Sequence, residues 1–328
     1  MHPSRVHSMA VSALLTIALL VHMSLACPIQ CKCHESTIYG YVTDCSGAGL
    51  PNIPGDIESK TEYLDLSENS ITQVAHTPLR SLSKLKTLYL SANEIETIDD
   101  GAFKDMTNLE NLYLRVNKLS EVSAATFSGL GKVALIDLEA NEIGAIPAGT
   151  FSANSELTHL MLPRNSIDAL DYEAFTGLYK LRYLNARTNK ITTVSGRLLN
   201  GLPALQHLDV SGNALHCDCN LRDFRIWLEA HSDDDVSTPT TLCAAPSKHS
   251  GRALLSVKYD DLTCGSTGLS AGAAVGIAIS MFLLGAAVAI ALGYLYIRRR
   301  KEPDLDTVTL TQSESVDKVE MNTQTVNS

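Results

Sequence analysis

One residue type keeps time along this chain. Asparagine recurs every 24 residues at Asn69, Asn93, Asn117, Asn141, Asn165, Asn189 and Asn213. Three residues before each stands Leu66, Leu90, Leu114, Leu138, Leu162, Ala186 or Val210, and five before stands Leu64, Leu88, Leu112, Ile136, Leu160, Leu184 or Leu208. Apolar residues two apart point to one face of a strand. Each period therefore contributes one short strand, apolar residues inward and the residues between them outward. A unit this small cannot bury its apolar face alone, so successive units must stack into a solenoid. A second apolar column in the same phase closes the other side: Leu79, Phe103, Phe127, Phe151, Phe175 and Leu199. Four of the six phenylalanines lie in it, which reads as a core spine and not as a ligand site.

A solenoid exposes its core at both ends and needs capping units. Eight cysteines flank the repeats in two groups of four: Cys27, Cys31, Cys33 and Cys45 before them, Cys217, Cys219, Cys243 and Cys264 after them. Residues 1–26 read as a signal peptide, with Arg5 before an apolar core at 10–21 and Ser24-Leu25-Ala26 at the cleavage site. Export makes disulfides the expected state of these cysteines. Zinc is disfavoured, because the one-residue gap of Cys31-Lys32-Cys33 and Cys217-Asp218-Cys219 is tighter than the usual ligand spacing. Leu221, Phe224, Trp227 and Leu228 share one helical face that would cover the last coil.

The L-x-x-L-x-L-x-x-N-x-L pattern and the two cysteine groups resemble the capped leucine-rich-repeat receptors: variable lymphocyte receptors, Toll-like receptor ectodomains and neuronal repeat adhesion proteins. The resemblance covers residues 27–264. It implies an α/β repeat solenoid, a horseshoe with a parallel concave sheet, in which the Asn side chains point inward and bond the backbone of their own and neighbouring coils. It implies the pairs Cys27–Cys33, Cys31–Cys45, Cys217–Cys243 and Cys219–Cys264, which spacing alone does not choose. The expected organisation is a signal peptide at 1–26, an N-terminal cap at 27–60, seven repeats at 61–215 and a C-terminal cap at 216–264. A short linker at 265–268, a transmembrane helix at 269–297 and a cytoplasmic tail at 298–328 follow.

The span is uncharged from Gly265 to Ile297 and ends on Arg298-Arg299-Arg300-Lys301. Positive charge stays cytoplasmic, which predicts a single-pass type I protein of the plasma membrane with its repeats outside. Gly272, Gly276 and Ser280 are four apart, a spacing that lets two helices approach for self-association or contact with a membrane partner. The tail lacks tyrosine and has no room for a folded signalling domain, nor is there a TIR domain.

Formal net charge is −10, and nearly all of it falls between Cys27 and Gly268. That opposes nucleic acid or heparin as a main partner. H-E-x-x-H and phosphate-cradling glycine loops are missing from the sequence, so neither an enzyme nor a cofactor is expected. His159 and His207 fall in one outward column but two coils apart, too far for an ordinary metal site. The outward strand positions hold Tyr89, Tyr113, Leu135, His159, Met161 and Tyr183, large groups with no structural need to face solvent. An exposed aromatic and Met patch of this kind predicts an extracellular or cell-surface protein ligand. The alternative is a resemblance in size and layout to the gamma auxiliary subunits of large-conductance potassium channels, in which the span and its basic cluster would act.

Overall fold

The computed structural model describes residues 27–231 and 241–264, together with Leu292. The expected signal peptide, the tail and the rest of the span, with Gly272, Gly276 and Ser280, lie outside the described residues. Among the described residues, no helix is long and apolar enough to cross a membrane.

Seven three-residue strands, one per repeat, build a parallel sheet: β3 (Tyr63–Asp65), β5 (Thr87–Tyr89), β7 (Asn111–Tyr113), β8 (Leu135–Asp137), β9 (His159–Met161), β10 (Tyr183–Asn185) and β11 (His207–Asp209). Each pairs with the next in strict 24-residue register, so every column of the sequence is a row across the sheet. The sheet extends into the N-terminal cap. An antiparallel hairpin, β1 (Lys32–Ser36) and β2 (Gly40–Asp44), joins β3 through β2 and brings the total to nine strands. The middle residue of each repeat strand, from Leu64 to Leu208, is at most 4% exposed. On the far side β4 (Gln73–Val74) pairs with β6 (Thr97–Ile98), and the described helices there are short: α1 (His76–Leu79) and α2 (Gly196–Gly201). Phe103, Phe127, Phe151 and Phe175 form a buried spine behind the sheet.

The Asn ladder lies inside, between strand and turn. Asn117 Nδ2 donates to the carbonyls of Leu90, Leu114 and Arg115 at 3.0, 3.0 and 3.4 Å, and its Oδ1 accepts the Ile95 N–H at 3.0 Å. Leu90 belongs to the preceding coil, so each Asn ties two coils together. The turn that aims the Asn inward is left-handed at the residue before it. Glu68, Ala92, Val116, Ala140, Arg164 and Thr188 all have φ of 55–58°, and Gly212 takes the same place in the last coil at 70°. That conformation costs L-residues about 1–2 kcal/mol, most severely when β-branched. Val116→Asn should therefore raise stability by about 1 kcal/mol, or roughly 2–4 °C in melting temperature. Val116 is 47% exposed, so little packing is lost. An unchanged or lower melting temperature of the purified protein would count against a strained turn.

Both ends are closed covalently. The cysteines pair as Cys27–Cys33, Cys31–Cys45, Cys217–Cys243 and Cys219–Cys264. After the last coil, β12 (Leu215–His216) pairs with β13 (Cys243–Ala245), and α3 (Arg222–Ala230) lays Phe224 and Leu228 into the core with Trp227 half-buried beside them. Arg225 Nε fastens α3 to the Val257 carbonyl at 2.8 Å.

Candidate functional site

Two outward columns form the concave face. The first, between the buried apolar pair, reads Asp65, Tyr89, Tyr113, Asp137, Met161, Asn185, Asp209. The second reads Tyr63, Thr87, Asn111, Leu135, His159, Tyr183, His207.

The acidic members of the first column have a local task. A short side-chain acceptor there bonds the N–H two residues on, closing an Asx turn as the strand ends. Asp65 accepts from Ser67 at 2.8 Å, Asp137 from Glu139 at 3.0 Å, Asn185 from Arg187 at 3.0 Å and Asp209 from Ser211 at 2.8 Å. Asp44 does the same for Ser46 in the cap strand β2. Asp65 and Asp209, acidic residues on an outward column, are thus turn residues. Tyr89, Tyr113 and Met161 occupy the same position without an acceptor of that reach. Three coils have given up the turn bond for a large, half-exposed side chain.

The aromatic groups are ordered into two stacks. Tyr39, Tyr63, Tyr89 and Tyr113 follow one another with ring centroids 5.1, 5.2 and 4.4 Å apart; the first two pairs meet tilted, at 45° and 43°, and the Tyr89 and Tyr113 planes lie within 5° of parallel. His159, Tyr183 and His207 form the second stack at 5.9 and 4.4 Å. The two histidines do not meet; Tyr183 stands between them. Leu135, Asp137 and Met161 fill the ground between the stacks. Of the six expected contact residues, the structure places Tyr89 and Tyr113 in the first stack, His159 and Tyr183 in the second, and Leu135 and Met161 between. It adds Tyr39, Tyr63 and His207. Tyr63 and His207 were legible as outward strand residues. Tyr39 was not: β2 pairs with β3 at a 21-residue offset, so the hairpin and not the repeat register brings Tyr39 to Tyr63.

Burial shapes the electrostatics of this face. It raises the hydroxyls of Tyr63, Tyr113 and Tyr183, and together with a hydrogen bond that Tyr89 donates to Tyr63 it pushes Tyr89 up to about 12. All four stay neutral donors at physiological pH. Burial lowers His207, with Asp209 opposing it, so that imidazole favours its neutral form. Glu139, on the rim, lies 3.9 Å from Arg115 and 4.0 Å from Arg164, long contacts between solvated groups. Asp218 sits beside Cys219 and Cys264, but those two sulfurs are joined in a disulfide and offer no metal-ligand set.

The leucine rich repeat family model matches residues 59–119, 83–143, 107–167 and 155–215. Leucine-rich repeat-containing G-protein coupled receptor 6 of Danio rerio is 41% identical over 56 residues, 17% of this chain and 6% of that one. Its Homo sapiens counterpart is 47% identical over 49 residues, 15% and 5%. Decorin of Bos taurus is 35% identical over 63 residues, 19% and 16%. The matched stretch is thus a small part of each relative's length. Among solved structures, human trophoblast glycoprotein, also called Wnt-activated inhibitory factor 1, superposes with a TM-score of 0.53 at 24% identity, covering 73% of this chain and 98% of that one. A TLR13–ssRNA13 complex superposes with a TM-score of 0.51 at 31% identity, covering 57% and 26%.

Proposed function

We propose that this chain, whose residues 59–215 belong to the leucine-rich-repeat family, is an extracellular receptor or adhesion molecule that binds a protein ligand on its concave face. The observation that carries this is the first column. Its default residue is a turn-closing Asp or Asn, and Tyr89, Tyr113 and Met161 depart from it in the middle coils. These coils forgo the turn hydrogen bond to place Tyr and Met on the outward face, and Tyr is over-represented among the residues that anchor interfaces. The stacked rings are already ordered, so little side-chain entropy remains to be lost on binding.

Relatives named as receptors, and a secreted-type architecture of disulfide-closed caps, support exposure outside the cell. The proposed topology keeps the type I arrangement, with a signal peptide at 1–26, a span at 269–297 and the tail inside. Self-association or a membrane partner through Gly272, Gly276 and Ser280 belongs to the same proposal. The TLR13 structure carries RNA; here a strongly acidic ectodomain opposes a polyphosphate, and a protein ligand fits better.

Tyr113→Asn separates binding from folding. It restores the turn-closing residue, so the melting temperature should hold or rise. Affinity for a partner found by screening the full chain against cell-surface and secreted proteins should fall by about 2 kcal/mol, roughly 30-fold. A triple Tyr89→Asn, Tyr113→Asn, Met161→Asn protein that binds as tightly as the parent would sink the concave-face reading.

A further inference from the structure

The middle of the concave face contains a feature that the stacks do not explain. On neighbouring strands β7, β8 and β9 the first column reads Tyr113, Asp137, Met161, a short side chain between two long ones. Strand spacing puts the outer two about 10 Å apart. Two van der Waals contacts, roughly 3.5–4 Å each, fit between them around one planar group. Tyr113 has one ring face on Tyr89, and its other face is turned toward this gap. Leu135, beside Asp137 on β8, supplies apolar surface along the flank.

Asp137 is the floor. It is only 9% exposed, and one carboxylate oxygen accepts the Glu139 N–H. Among the described residues it has no ion-pair partner: Arg115, whose charge acts on it, lies against Glu139 instead. A carboxylate that is largely out of water and without an ion-pair contact is held in an unfavourable state. Burial accordingly raises its carboxyl above the usual range. Asp65 and Asp209 in the same column differ in their surroundings. Asp65 adjoins Asp44, and Asp209 adjoins Asn185, so neither is walled by large groups on both sides.

We infer that Tyr113, Asp137 and Met161 form a slot for one arginine side chain of the ligand. The guanidinium would lie flat on the free face of Tyr113, pair with the Asp137 carboxylate and run its stem along Leu135 and Met161. Arginine fits better than lysine because its charge is planar, stacks on aromatic faces and loses hydration more readily. The slot thus selects a ligand with an exposed basic side chain, in keeping with the acidic ectodomain. This rests on the concave-face reading above and specifies its chemistry.

The test titrates the purified full chain with octa-arginine and with octa-citrulline, which has the same shape and no charge. Asp137→Asn should weaken octa-arginine at least tenfold. The fold should persist, since Asn185 closes the same turn in its own coil. Glu121→Gln, the same charge change at an exposed site, should weaken it less than twofold, and Tyr113→Leu severalfold. Equal loss in Asp137→Asn and Glu121→Gln would overturn the slot, as would equal binding of the two peptides by the parent. Either result leaves the Tyr113→Asn test of the wider face standing on its own readout.

Discussion

Phe151→Ala should lower the stability of the repeat domain by about 3–5 kcal/mol, the range for truncating a fully buried aromatic ring. Phe151 has no exposed surface, and its ring lies 5.4 Å from Phe127 and 6.1 Å from Phe175, so three coils share the contact that would be lost. In a stacked array each unit is held mainly by its neighbours. A cavity in the fourth coil therefore weakens a seam as well as a site. The single tryptophan makes this measurable, because Trp227 packs at the C-terminal cap and reports that end alone. Circular dichroism reports the whole array. In the parent the two signals should share one denaturant midpoint. In Phe151→Ala both midpoints should fall, and the two should separate as the halves uncouple. A loss below about 1 kcal/mol would mean that the spine is not continuous.

How much of this could be read beforehand depends on the range of the chemistry involved. The Leu and Phe columns and the Asn ladder act between coils, so the same constraint falls on every period and shows as repetition. Ala186 and Val210 did not obscure it, because neighbouring coils hold the phase. The Asx turns act over two residues within one coil. Asp, Asn, Tyr and Met alternate at that position without breaking any period, so Asp65 and Asp209 looked like surface charge until their bonds to Ser67 and Ser211 were seen. The left-handed residue before each Asn was equally hidden, since Glu, Ala, Val, Arg and Thr share no property that marks it. Tyr39 was out of reach for another reason. It stands in an antiparallel hairpin whose second strand joins the sheet at its own offset, so its place depends on the cap fold and not on the repeat. The Asp137 slot needed the register of three strands together with the absence of a nearby ion-pair partner.

Asn141→Asp should be more damaging than Asn141→Ala, although it is the smaller change in shape. The native Nδ2 donates to the carbonyls of Leu114, Leu138 and Glu139 at 3.0, 3.1 and 3.4 Å, and Oδ1 accepts the Leu119 N–H at 3.0 Å. Alanine leaves the Leu119 N–H and the inward carbonyls unpaired. At 1–3 kcal/mol for each buried orphan that survives relaxation, a total of about 3 kcal/mol is expected. Aspartate keeps the acceptor for Leu119 but turns its second oxygen toward carbonyls in a position that is 8% exposed. At neutral pH an uncompensated buried carboxylate costs on the order of 3–5 kcal/mol. Its sign with pH is then fixed. Burial and facing carbonyls raise the folded-state pKa of the introduced carboxyl above the unfolded value near 3.9. The penalty is therefore smallest in acid, where the group is protonated in both states and regains one donor. It grows as pH rises from about 4 and levels off above the folded-state pKa. Melting the parent, Asn141→Ala and Asn141→Asp proteins between pH 4 and pH 7 isolates the effect. The gap between the two variants should widen with pH in favour of Ala. A constant gap, or an Asp protein as stable as the parent at pH 7, would show that the side chain at 141 does not face the carbonyls of its own and the preceding coil.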